Sequence, residues 1–169
     1  MIEIILKTNG KKYDLPVSAD EIKNLIDNGI TKAGDFEVEL KNRFDEYLPA
    51  DADLERLNKI ATDITTLQKQ DKVEWLIAML DAYELGELKL SNEPSVIEVV
   101  IAGILNKKYY FDEGMDETDY ARQQYDCGYL DYLNIPFEII DCINWKKVYK
   151  KFFAKNTVII NGGIITIEE

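Results

Sequence analysis

Histidine is absent from the 169 residues of this chain. Ser-His-Asp and Cys-His nucleophilic systems are therefore excluded, as are His-bearing zinc sites. Cysteine is scarce: Cys127 and Cys142 stand alone, with no CxxC and no metal-ligand spacing. A reduced, cytoplasmic protein is the expectation. The start, Met1-Ile2-Glu3, agrees with it, because no basic segment leads into an apolar core. Long apolar runs are missing too. The longest, Val96 to Leu105, carries Glu98 and falls well short of the about 20 residues that cross a bilayer. Cations are outnumbered, 20 Lys and Arg against 32 Asp and Glu, which leaves a formal charge of −12. Nucleic acid and anionic membrane would both repel such a chain, whereas a basic protein groove would attract it. What remains chemically is carboxylate work, an acid/base pair or a magnesium site.

Acids are what the chain has in excess, and they concentrate between Asp112 and Asp141. Asp112, Glu113, Asp116, Glu117, Asp119, Asp126, Asp131, Glu138 and Asp141 are accompanied there by a single cation, Arg122. Nine acids and one arginine leave residues 111–142 at −8, while five lysines against two glutamates put residues 143–169 at +3. Tyr120, Tyr125, Tyr129, Tyr132 and Phe137 are interleaved with the acids. Disordered acidic tails are poor in aromatics. The stretch therefore reads as a folded surface that displays negative charge, either as a binding face or as a solvated face that keeps the protein soluble.

The rest of the pattern predicts an α+β fold. Ile2 to Lys7 and Lys11 to Leu15 flank Asn9-Gly10, a two-residue hairpin signal. Ser18 and Glu21 form a capping box ahead of Ile22, Leu25 and Ile26, and Gly29 closes that helix. Phe36, Val38 and Leu40 alternate as a strand, which completes a ββαβ unit over residues 1–49. Residues 50–106 read as a bundle of short helices. The first is capped by Asp51 or Asp53 and striped by Leu54, Leu57, Ile60, Ile64 and Leu67. The second starts at Asp71 and buries Trp75, Leu76, Met79, Leu80 and Tyr83; the third starts at Ser91 or Asn92, before Pro94. Residues 107–169 read as a strand from Lys107 to Asp112, a helix capped by Asp116 and ended by Gly128, and a longer helix from Pro136 carrying Ile139, Ile140, Ile143 and Phe152. A hairpin around Asn161-Gly162-Gly163 follows. The expected architecture is an elongated chain of three small units.

Other constellations are weaker. Asp112-Glu113-Gly114-x-Asp116-Glu117 lacks the register and distal glutamate of a calcium loop, so a solvated turn outranks a metal site. Glu37 and Glu39 share a strand face, as exposed glutamates commonly do. Trp75 and Trp145 read as core. Lys146, Lys147, Lys150, Lys151 and Lys155 form a basic run that pairs with the acids or faces solvent.

The C-terminal third carries a resemblance. Asp119-Tyr120-Ala121-Arg122, Gly128-x-Leu130, Ile135-Pro136, Ile143-Asn144-Trp145 and Asn156-Thr157 through Asn161-Gly162-Gly163-Ile164 follow the order seen in ArdA-type antirestriction proteins. In that family an Ala-Arg pair precedes a Gly-x-Leu. A Val-Pro helix start, an Ile-Asp-Tyr-x-Ala-Tyr-Gly-Arg-Asp segment and a hairpin with Asn-x-Gly come after. The N-terminal order, with Tyr13 to Pro16 ending a strand, is similar as well. The resemblance implies an elongated homodimer, joined through its C-terminal region, that sets carboxylates where B-DNA has phosphates. It would then occupy the DNA groove of a Type I restriction–modification enzyme. One segment departs from the family pattern: Asn144-Trp145-Lys146-Lys147-Val148-Tyr149-Lys150-Lys151 stands where the family carries acids.

The expectation is thus a binding protein with no catalytic residue, cofactor or metal, a DNA mimic that touches neither nucleic acid nor membrane. Its partner would be the methyltransferase core of a Type I enzyme. Two alternatives belong to other classes. An acidic adaptor of a mobile element would have the same fold and a basic break in its acidic surface. A carboxylate-dependent hydrolase would need two acids converging in a cleft.

Overall fold

The computed structural model of the chain describes residues 2–39, 41, 43–90 and 95–168. The fold is α+β, with N-terminal strands, central helices, and C-terminal helices beside a hairpin. It divides into two compact units, Met1–Asp81 with Leu90–Leu105, and Ala82–Lys89 with Asn106–Glu169.

In the first unit, β1 (Ile2–Leu6) lies between β2 (Lys12–Leu15) and β3 (Phe36–Glu39), antiparallel to both. Strand alternation puts Ile2, Ile4 and Leu6 into the core and Glu3 on the other face. The hairpin loop is longer than Asn9-Gly10 suggests. Leu6 and Lys11 close it around residues 7–10, and Gly10 takes a φ of +69°. Helix α1 (Ala19–Asp27) begins as its capping box predicts, with Ser18 Oγ accepting from the Glu21 N–H. It ends where Gly29 turns left-handed and the Ile30 N–H reaches back to the Leu25 carbonyl.

Helix α2 (Leu54–Lys69) is capped by Asp53 and buries its whole predicted stripe. Its Asn58 side chain accepts from the Val17 N–H at 2.8 Å and donates to the Val17 carbonyl at 3.2 Å. The Leu54 N–H donates to the Thr31 carbonyl at 3.0 Å. These bonds fasten α2 to the strand-bearing segment, so residues 1–49 and most of 50–106 share one core. The ββαβ segment alone has little to bury its sheet against. Helices α3 (Val73–Glu84) and α4 (Val96–Leu105) complete the helical part, and Arg56 on α2 pairs with Glu98 on α4. Leu76, Met79 and Leu80 of α3 are buried, but Trp75 is only half-buried beneath Lys72 Nζ, and Tyr83 is exposed. Asp71 does not cap α3. Its φ of +54° places it in the preceding turn, and Lys72 is the residue before the helix, its carbonyl accepting from the Leu76 N–H. Leu40, Ser91, Asn92 and Pro94 lie outside the described residues.

The second unit is built on β4 (Tyr109–Glu113), β5 (Thr157–Ile160) and β6 (Gly163–Ile167), in the order β4-β6-β5, all antiparallel. The β5–β6 turn is the two-residue Asn161-Gly162 loop that the sequence implies, with Gly162 at a φ of +113°. Helices α5 (Glu117–Asp126) and α6 (Trp145–Phe152) pack on one sheet face, around Tyr120, Ala121, Trp145, Tyr149 and Ile164. Two hydroxyl pairs tie helices to sheet: Tyr120 with Thr166 at 3.0 Å and Tyr149 with Thr157 at 2.6 Å. The single helix predicted from Pro136 to Phe152 is instead two pieces. Phe137–Cys142 forms a 3₁₀ turn, Ile143 is extended, and the Asn144 side chain caps α6 by accepting from the Lys147 N–H. That cap supplies a fresh helix start and lets Trp145 swing into the core.

Candidate functional site

The acidic stretch runs from β4 through α5 and the turns that follow it, and the fold sorts its nine acids into different roles. Asp116 caps α5, accepting from the Thr118 and Asp119 N–H groups at 2.7 and 2.9 Å. Glu117 is paired with Lys146 of α6, and Asp141 with Arg122 of α5 at 3.3 Å. Asp112 is half-buried on the helix-covered sheet face, and burial pushes its carboxyl above the usual range. Glu113, Asp119, Asp126, Asp131 and Glu138 are exposed, with no ion pair among the described residues.

The lysine run falls on α6 as its spacing predicts. Trp145 and Tyr149 take the inner face, while Lys146, Lys147, Lys150 and Lys151 are exposed. Because α6 packs against α5, cations stand beside the acids within one unit, and the proximity of Glu117 raises the Lys146 ammonium pKa. Lys155 follows in an exposed turn.

The hairpin is dense in apolar residues between Val158 and Ile167, and most of them are covered. Ile164 and Ile165 are fully buried, leaving Ile159 exposed. Several exposed apolar groups of this unit lie between α5 and α6, where Tyr132 is 65% and Phe137 86% exposed and Ile139 lies nearby in sequence; Leu85, far from them in the chain, is exposed as well.

The fold also brings together residues that the sequence reading left apart. A cleft of about 410 Å³ opens beside Asp112. Tyr110, Tyr120, Tyr129, Phe152 and Phe153 supply its aromatic walls, and Thr157 and Thr166 part of its floor. The signal for one wall is the β4 alternation, which puts Tyr110 and Asp112 on the same face. The other walls come from α5 and the end of α6, and nothing local joins them to that strand. A second acid, Glu168, lines the same cleft. Ladder register places it four residues beyond the partner of Asp112, about 13 Å along the strand.

The remaining acidic candidates are held by lysines or stand alone. Glu37 lies 4.0 Å from Lys7, and Glu39 lies 2.8 Å from Lys12. Glu3, opposite Glu39 in the ladder, is held down at about 2 by hydrogen bonding with Glu39 and then with Lys12 and Lys41. Among the described residues no group of three Asp, Glu or Cys side chains is placed to hold a metal ion. No helix among them is long and apolar enough to cross a membrane. Comparison of the chain with protein-family models, curated proteins and solved structures finds no match.

Proposed function

We propose that this protein is an antirestriction protein of the ArdA type, a DNA mimic whose C-terminal unit presents carboxylates to the DNA groove of a Type I restriction–modification enzyme. The observation that carries the reading is the exposed set Glu113, Asp119, Asp126, Asp131 and Glu138 on a folded, aromatic-rich scaffold. The ordered sequence resemblance of the same region joins it. A groove that binds duplex DNA is basic in advance, and phosphate contacts carry much of its affinity. Fixed carboxylates can use those cations without base chemistry. The function is binding, not catalysis. The protein acts as a homodimer whose contact includes the exposed Tyr132, Phe137 and Ile139, because apolar groups of that size in one short segment are the usual material of an interface core.

The test is displacement of labelled duplex from a purified Type I methyltransferase core at two salt concentrations. The wild type should displace DNA, and less well as salt rises, since exposed charges are screened beyond ~8–10 Å at physiological ionic strength. Changing the five exposed acids together to Asn or Gln should weaken displacement with the fold intact. Asp116 and Glu117 are left out of that variant because they cap α5 and pair with Lys146. Failure of the wild type to displace DNA from several cores at low salt would remove the reading.

One observation favours a second reading, an acidic adaptor of a mobile element. The lysines of α6 stand beside α5 and give this surface mixed sign. Replacing Lys147, Lys150 and Lys151 with Gln separates the two: a mimic gains potency, whereas an adaptor that uses those lysines loses its partner.

A further inference from the structure

We propose that the cleft between β4, α5 and the end of α6 is a binding site for an organic cation, a guanidinium or alkylammonium group held by Asp112 inside an aromatic cage. This inference is independent of the antirestriction reading. Tyr110, Tyr120, Tyr129, Phe152 and Phe153 all line the cleft. Aromatic faces carry negative quadrupole potential and attract cations, more strongly where water is partly excluded. The Tyr120 ring is fixed as a wall by edge contacts with Tyr149 and Phe153, at centroid distances of 5.9 and 5.7 Å, and its hydroxyl is tied to Thr166.

Asp112 supplies the charge. It sits on the sheet face that Ile164 and Thr166 share, half-buried, and among the described residues no lysine or arginine lies within ion-pair distance. Burial alone raises its carboxyl pKa, which is the signature of a carboxylate that has lost water without gaining a counter-ion. A cation entering the cleft would supply that counter-ion. Lys151 does not occupy the role: its ammonium lies over the Phe152 ring at 5.2 Å and does not line the cleft. The volume, about 410 Å³, is ample for an arginine head group and its stem. Neutral polar ligands can hydrogen-bond to the carboxylate but bring it no counter-charge, and anions are repelled by Asp112 and Glu168.

The guest could be an arginine of a partner protein or a free small cation, and the test separates them. Full-length protein is titrated with agmatine, N-acetyl-arginine amide and its neutral counterpart N-acetyl-citrulline amide, following the amide resonances of Thr157 and Thr166 by NMR. Both cations should give saturable shifts, with the citrulline compound weaker by about tenfold or more. Tighter binding of the arginine amide points to a side chain, tighter binding of agmatine to a free cation. Asp112→Asn should weaken both cations by about tenfold, and Tyr129→Ala, at an exposed position, several-fold with the fold unchanged. Equal binding of the citrulline and arginine amides, wild-type binding by Asp112→Asn, or no saturable shift with either cation would overturn the proposal.

Discussion

Asp116 separates the two kinds of work that an acid can do on this surface. Its carboxylate accepts from two N–H groups of the first turn of α5, at 2.7 and 2.9 Å. Asp116→Ala removes the acceptor and the charge together. The lost cap costs about 0.5–2 kcal/mol, and the lost interaction of the negative charge with the helix N-terminus adds about 0.3–1 kcal/mol. Asp116→Asn keeps an acceptor oxygen in the same place, so only the second cost applies. The alanine variant should therefore be less stable than the asparagine variant by about 1 kcal/mol. Because α5 carries Tyr120 and Ala121 into the core, the loss should appear in the unfolding of the unit rather than as local fraying. In a thermal melt, 1 kcal/mol is about 2–4 °C if the chain unfolds as one and about 4–8 °C if the C-terminal unit melts alone. Urea unfolding followed by far-UV circular dichroism gives the free energies. Equal stability of the alanine variant and the wild type would refute the capping role. Equal losses for both substitutions would show that charge, not acceptor geometry, is what α5 needs.

Glu98→Gln should destabilise the first unit by about 1 kcal/mol at neutral pH, because Arg56, itself only partly exposed, loses its partner. Hydrogen bonding to Arg56 depresses the Glu98 pKa below its ordinary 4.5, so this stability is present above that value and lost as pH falls through the folded pKa. The gap between wild type and variant should therefore close in acid, which urea midpoints at neutral and acidic pH would check. Gly163→Ala should cost about 2–3 kcal/mol, because the added Cβ would run into the Asp112 carbonyl oxygen and the Phe111 ring. Loss of amide protection in β4 as well as β6, by hydrogen exchange, would mark that close approach. Asp112→Asn should raise stability at neutral pH and match the wild type in acid. A carboxyl whose pKa is raised by burial favours the folded state only while protonated, and that contribution is lost as pH rises.

Much of this fold was legible in local chemistry. Ser18, Asp53 and Asp116 cap helices because a short oxygen-bearing side chain just before an apolar stripe satisfies N–H groups that the helix leaves over. Asn161-Gly162 makes a two-residue turn because glycine accepts a positive φ there. The whole acidic stretch, and the lysine run that interrupts it, were visible as composition. Other features depended on partners distant in the chain. Asn144 competes with helix continuation, and it prevails because starting α6 afresh buries Trp145. Asn58 meets Val17 across 41 residues, which joins two expected units into one. The pairing of β4 with β6 absorbs Ile164 and Ile165, so apolar density in the hairpin became core rather than interface. The same pairing sets Asp112 among aromatic rings from α5 and α6. Sequence determined which groups are charged and, outside the segment from Pro136 to Phe152, most of which segments are helix or strand, because those depend on near neighbours. Tertiary structure decided which of the other acids pair, which face solvent and which is half-buried, because burial is set by what packs across the sheet.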